Sequence, residues 1–239
     1  SGFTFRERYS EGYGGQKRAV SERAIPGRMK RLSVDYIRKR VRACLDELGL
    51  NDANFMEEDQ DSVELNSTIE GRMLESVKYV HLNASHHLLD GVVLDGVPEI
   101  GSDGVGRMKL PDNFLRLISF RMSDWERPVC DMITEYDAEY HKQADQYARG
   151  TYESPVCALV KTGGGDVLEF YSCKDNKAKV LHALYLPFPE FEEVEHIPHI
   201  MVCDKLEDAV VNQVAGLVLL TYKDQHADSL INLAKTYMT

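Results

Sequence analysis

Apolar positions recur at helical spacing near both ends of the chain and at strand spacing through its middle. Toward the C-terminal end, Leu206, Ala209, Val210, Val214, Leu217 and Val218 keep a helical period, and Val210 to Leu220 is apolar on most sides. That pattern predicts a central core helix. A polar hinge, Lys223-Asp224-Gln225-His226, interrupts it, and Leu230, Ile231, Leu233, Ala234 and Tyr237 restart the period. The expectation is two helices or one bent helix. Asp204 and Glu207 read as an acidic capping box at its start. Near the other end, Val34, Ile37, Val41, Cys44, Leu45 and Leu48 form one stripe after Ser33, with Gly49 as a stop. Arg38, Lys39, Arg40 and Arg42 fall on the other faces and read as a solvated helix surface. Residues 51–66 read as an acidic loop. Ser67-Thr68-Ile69-Glu70 reads as a capping box opening a second helix, with Ile69, Met73, Val77 and Val80 on its buried side and an end between Ala84 and Leu89.

After Asp90 the period changes. Residues 91–108 are glycine-rich with short β-branched pieces, which reads as strand, turn, strand. Leu115 to Met122 predicts a strand with Leu115, Leu117, Ser119 and Arg121 on one face and Arg116, Ile118, Phe120 and Met122 on the other. Both faces carry apolar residues, so the strand is expected to be covered on both sides. Residues 137–147 read as a short exposed helix. Pro155 to Val160, Val167 to Tyr171 and Val180 to Tyr185 read as strands, the first two joined by a hairpin turn at Lys161 to Asp166. Pro187, Pro189 and an acidic run to His196 are expected to lead back into helix at Ile197-Pro198. The fold class is therefore α+β: a small helical bundle interrupted by a β-rich inserted lobe, with an extended N-terminal arm. The expected boundaries are 1–32 for the basic arm, 33–90 and 197–239 for the two halves of the helical core, and 91–196 for the β-rich insertion. Neither helical half buries its own stripe alone, so the two must pack together.

Charge changes the picture at the N-terminal end. The chain has 239 residues and a formal net charge of −11. Residues 1–42 hold twelve Lys and Arg against four Asp and Glu, a net of +8, which leaves −19 on the remainder. Residues 1–32 lack a sustained apolar period, so they read as an arm that cannot bury a core alone. Tyr9 and Tyr13 interleave with Arg6, Arg8, Lys17 and Arg18. Such a mix suits stacking and phosphate contact, and equally suits threading between subunits. No stretch is long and apolar enough for a membrane span or signal peptide, so no membrane partner is expected. Ser1 reads as a processed or trimmed end. Five scattered cysteines, Cys44, Cys130, Cys157, Cys173 and Cys203, contain no CxxC pair and read as free buried thiols in a reducing compartment.

Candidate chemistry is thin. His86-His87 with Asp90, and His196 with His199, are the histidine groupings. Adjacent helical histidines diverge by about 100° and rarely share one ion. Cysteines without a CxxC make a poor zinc site. Gly163-Gly164-Gly165 lacks the Lys-Ser/Thr of a phosphate loop, and neither GxSxG nor HExxH occurs. The expectation is a non-enzyme without cofactor or metal. The alternatives are a small metal-dependent hydrolase in the β-rich lobe and a nucleic-acid-binding protein that uses the arm.

Several stretches carry a family likeness: LPDNFLRLIS from Leu110 to Ser119, RMSDWERPV from Arg121 to Val129, and YARGTYESPV from Tyr147 to Val156. Near the end, Ile197-Pro198 is followed by LEDAV from Leu206 and LLTYKDQHAD from Leu219. In this order and spacing the chain, from about Ser33 to Met238, resembles the head-to-tail adaptor (connector) proteins of tailed bacteriophages, in particular those of short-tailed and gut Bacteroidetes phages. The resemblance implies a helical bundle interrupted by a β-rich lobe. It implies a homo-oligomeric ring, usually a dodecamer, beneath the portal protein and above a downstream tail protein. It also implies a channel through which DNA passes without sequence-specific binding. The chain would be assembled in the bacterial host cytoplasm and reside in the virion. Two departures stand out. The basic arm is longer than a minimal adaptor needs, and Thr239 directly follows the last helix, so the C-terminal tail with which some relatives grip the portal is expected to be absent. The arm is then the expected clasp, with Arg6, Arg8, Lys17, Arg18, Arg23, Arg28, Lys30 and Arg31 meeting protein carboxylates in the assembled state rather than DNA.

Overall fold

The computed structural model describes residues 29–47, 60–174 and 177–239. The helices are α1 (Val34–Glu47), α2 (Gln60–Asn83), α3 (Ala138–Lys142), α4 (Glu207–Thr221) and α5 (Ala227–Thr236). The strands are β1 (Lys30–Ser33), β2 (Val92–Val93), β3 (Glu99–Ile100), β4 (Gly106–Lys109), β5 (Phe114–Met122), β6 (Ile133–Thr134), β7 (Cys157–Thr162), β8 (Gly165–Phe170), β9 (Val180–Pro187), β10 (Phe191–Val194) and β11 (Ile197–Val202). The fold is α+β.

Helix α4 is the axis of the first core. Ala209, Val210, Val211, Val214, Ala215 and Val218 are buried in it, with α1, α2 and α5 packed against it. Ile37, Val41, Ile69, Met73, Val77 and Val80 face it from α1 and α2. The polar hinge makes two helices: Lys223 takes a left-handed φ of 58°, and α5 folds back on α4. They meet at Gly216, where an added Cβ would lie 2.6 Å from Ile231 Cγ1 and 3.2 Å from the Ala227 carbonyl oxygen.

The sheet β2–β9–β5 is the wall between two cores. Ile118, Leu184 and Leu186 face the helices, whereas Phe114, Leu117, Phe120, Met122, Ala183 and Tyr185 face a second, aromatic core. Phe120, Trp125 and Phe170 cluster there, with centroids 5.0 to 6.0 Å apart. The sheet β3–β4–β8–β7–β6 closes that core from the far side. Arg116 on β5 ties the wall to α2: its Nη1 donates to the carbonyls of His81, Leu82 and Ala84 at 3.0 to 3.3 Å, satisfying the open end of the helix.

Several expectations are corrected. β5 is covered on both sides, but bulges at Phe114/Arg116 and Leu117/Ser119 break its alternation, so Leu117 joins Phe120 and Met122 instead of opposing them. Helix α2 starts at Gln60, inside the expected acidic loop, and Thr68 is mid-helix with its hydroxyl on the Glu64 carbonyl at 2.9 Å. The residues from 51 to 59 lie outside those described. Lys30–Ser33, expected as the end of the arm at 32 and the start of the helical core at Ser33, is a strand, and Ile197–Val202, expected as the way into helix, is its antiparallel partner. Neither Asp204 nor Glu207 caps α4: Leu206 occupies the cap position and no side chain bonds to the helix start.

Candidate interaction surface where the arm meets the body

Two of the proposed arm residues, Lys30 and Arg31, lie among the described residues. Arg6, Arg8, Lys17, Arg18, Arg23 and Arg28 fall outside them. The chain enters the body as β1, pairing Lys30 with Val202, Arg31 with Met201, Leu32 with Ile200 and Ser33 with His199. Leu32 points into the helical core and fixes the strand's register. The Ser33 hydroxyl then accepts from the Tyr36 amide at 3.2 Å, a side-chain cap that starts α1.

This entry route surrounds Glu207 with donors. Lys30 Nζ donates to its Oε2 at 2.9 Å, while the Tyr36 hydroxyl and Arg40 Nη1 each donate to Oε1 at 2.6 Å. Arg40 Nη2 reaches Asp208 at 2.8 Å, and Lys30 also lies 3.5 Å from Asp204. Glu207 and Asp208 stand in the first turn of α4, where the helix dipole favours negative charge. Burial pushes the Glu207 carboxyl up, but the donors Tyr36, Lys30 and Arg40 outweigh it and hold it below the usual carboxylate range. The bond to Glu207 raises Lys30, and the bond to Asp208 leads in raising Arg40, so all three stay charged at neutral pH. On the outer side of the sheet Arg31 Nε reaches Glu192 on β10 at 3.2 Å.

The basic face of α1 is therefore not merely solvated. Besides Arg40, Arg38 bridges Asp35 at 2.9 Å and Glu70 at 2.6 Å, and Arg42 Nε donates to Asn66 at 3.0 Å. The cluster of Tyr36, Arg40, Glu207 and Asp208 is not legible in the sequence, where Arg40 reads as solvated and Glu207 as a cap, because the partners lie more than 160 residues apart in the chain. The one available signal was the surplus of acid at the start of α4.

The remaining candidates serve other ends. His86 bonds to the Cys130 carbonyl at 2.9 Å and to Arg116 at 3.2 Å; His199 bonds to its neighbour Ile197. Among the described residues no group of three or more His, Cys, Asp or Glu is placed to hold a metal. The cysteines divide between cores: Cys203 lies in the first, Cys157 and Cys173 in the second. Burial pushes the Cys173 and Cys203 thiols up to about 12, which makes them poor nucleophiles. Gly163-Gly164 is the hairpin turn between β7 and β8. One cleft in the lobe, of about 280 Å³, is lined in part by Glu169. That carboxylate is occupied by Tyr171 at 2.6 Å and Arg107 at 2.8 Å, so it fastens β8 to β4. No helix among the described residues is long and apolar enough to cross a membrane. No protein-family model matches the chain, and a search of curated proteins finds no match.

Proposed function

We propose that this chain is a structural head-to-tail adaptor of a tailed bacteriophage virion. Copies form a ring, twelvefold on the resemblance, between portal and tail, and DNA passes through the centre. The observation that carries this reading is where the family-like stretches fall. Leu110 to Ser119 builds the wall shared by both cores, and Arg116 within it fastens α2. Arg121 to Val129 supplies Trp125 to the aromatic core, Leu206 to Val210 opens the axial helix, and Leu219 to Asp228 makes its turn into α5. These stretches build the framework of both cores, which suits a protein whose work is to hold position in an assembly, while Tyr147 to Val156 lies in a largely exposed loop.

An acidic body also suits a channel, since passing DNA is repelled rather than gripped. Side-by-side copies of such a body repel one another as well, and a basic arm laid on a neighbour offsets that. Each copy in a ring presents two different surfaces, one to each side. The test is the mass of the full chain, alone and with its portal, by sedimentation or native mass spectrometry. A discrete ring is expected. A chain that stays monomeric with the portal and inside virions contradicts the proposal; a dilute monomer alone does not, since such a ring closes on its partner.

A further inference from the structure

The sheet β1–β11–β10 has two edges, and they differ. On one edge the root of the arm is already docked as β1. On the other, β10 pairs inward with β11, and no strand of the described residues lies on its outer side. An open edge offers unpaired backbone to another strand. Natural edges are commonly blunted by lysine, but no Lys or Arg occurs between Pro187 and Ile200, whereas Glu190, Glu192, Glu193 and Glu195 do. Arg31 engages Glu192; Glu190, Glu193 and Glu195 are exposed and make no ion pair among the described residues.

Resting on the ring reading, we infer that the β10 edge is the docking site for the N-terminal arm of a neighbouring copy, which adds as a strand through Phe3 to Tyr9. That stretch reads Phe-Thr-Phe-Arg-Glu-Arg-Tyr. It is rich in strand-favouring aromatics, and its alternation sets Phe3, Phe5, Glu7 and Tyr9 on one face and Thr4, Arg6 and Arg8 on the other. Laid beside β10 with its arginine face on the side of Glu193, the arm brings Arg6 and Arg8 to Glu193 and Glu195, the favourable sign for cross-strand pairs. Residues 1–28 carry six Lys and Arg against three Glu, so the net charge of the arm complements the edge. The tether from Ser10 to Arg28 is nineteen residues. Extended, it spans up to about 65 Å, whereas the two edges of one three-stranded sheet are only about 10 Å apart. The tether is long enough to reach a neighbouring copy, and the ring reading selects that copy over a return to the same sheet. Arm and edge are then the two different surfaces that a ring contact needs.

The test is hydrogen exchange on the full chain, with a synthetic peptide of residues 1–28 added in excess. The alternate amides of Phe191 to Glu195 that face away from β11 are expected to slow roughly tenfold or more, and less so as salt is raised. The variant Glu190→Lys/Glu193→Lys/Glu195→Lys is expected to lose the effect, and a peptide carrying Arg6→Glu and Arg8→Glu to restore it. That restoration also shows that the variant is folded. No slowing at this edge, or slowing only elsewhere, overturns the inference. So does protection already complete in the dilute chain and indifferent to the peptide, which means its own arm fills the edge. A ring that forms while this edge exchanges freely refutes the docking site and leaves the adaptor reading standing. Peptide protection in a chain that never assembles with the portal supports the edge as an arm site and refutes the adaptor.

Discussion

The two cores on either side of the β2–β9–β5 wall are made of different material. The helical side is aliphatic: its fully enclosed residues are Val, Ile, Leu, Met, Ala and Cys. The lobe side is aromatic, built on Phe114, Phe120, Trp125, Phe170 and Tyr185. Aliphatic residues spaced along helices tolerate local adjustment, because each contributes one small part of a long stripe. Aromatic rings crossing a thin β core depend on a few close fits. Gly106 is the extreme case: a Cβ there would overlap the Phe170 ring, which lies against Phe120 and Trp125 and has nowhere to move. The shared wall nevertheless makes the two cores one cooperative unit, because β5 and β9 contribute side chains to both.

The strongest way to break that view is Phe120→Ala. Loss of a fully buried ring is expected to cost about 3–5 kcal/mol. Trp125, the sole tryptophan, reports the lobe, while far-UV circular dichroism reports mainly the helices. The two urea transitions are expected to shift together. A lobe that unfolds first while the helices keep their midpoint would separate the cores.

The next effect sharpens the helical side. His81 is buried at 1% exposure, accepts from the Cys203 amide through Nε2 at 3.3 Å, and leaves Nδ1 without a partner. Burial lowers its pKa to about 4. The unfolded chain therefore binds the extra proton first. The contribution of His81 to stability is expected to be full above about pH 6.5 and to be lost as pH falls toward 4, by about 3 kcal/mol. Glu207, held below its ordinary value, pushes in the same direction at the acid end. Chemical denaturation of His81→Gln across this range should give a visibly flatter pH profile; an unchanged slope between pH 6.5 and 4 would show that His81 is not the group responsible.

Arg116→Met probes the joint itself. Three helix-end carbonyls lose a charged donor, for an expected loss of about 2 kcal/mol, with α2's last turn exchanging its amides faster. A variant as stable as the parent would mean that water replaces the arginine without loss. The paired glycines compare the cores directly. Gly106→Ala is expected to cost about 2 kcal/mol by overpacking. Gly216→Ala should cost about 1 kcal/mol, because the half-buried Ile231 side chain gives way and alanine's helix propensity recovers part of the loss. Reversal of that order in melting experiments would contradict the difference drawn between the two cores. Smallest of all, Lys142→Ala removes an exposed pair with Glu139 on α3 and should change stability by less than about 0.5 kcal/mol.

The sequence was most legible where a single period runs long enough to speak for itself. The stripes of α1 and α4, the two-sided burial of β5 and the Gly163-Gly164 hairpin could all be read from residue order. What escaped depends on partners distant in the chain. Lys30–Ser33 is too short to read as a strand without β11 beside it, and Pro198 disguised β11 itself. Among the described residues, the first two turns of α2 bury only Leu65, with Val63 exposed, so they carry no apolar period of their own. Thr68 and Glu207 have the residue types of helix caps but spend their oxygens elsewhere, one on the preceding turn and the other on Lys30, Tyr36 and Arg40. Bulges in β5 turned Leu117 to the face that alternation denies it. At the interaction surface, charge patterning singled out Lys30 and Arg31, but their acceptors could be found only in three dimensions.

The adaptor proposal is tested most directly by imaging virions in which this chain carries a label. Label density is expected as a closed ring at the junction between head and tail, coaxial with the DNA channel. Label absent from virions, or placed away from that junction, would contradict it.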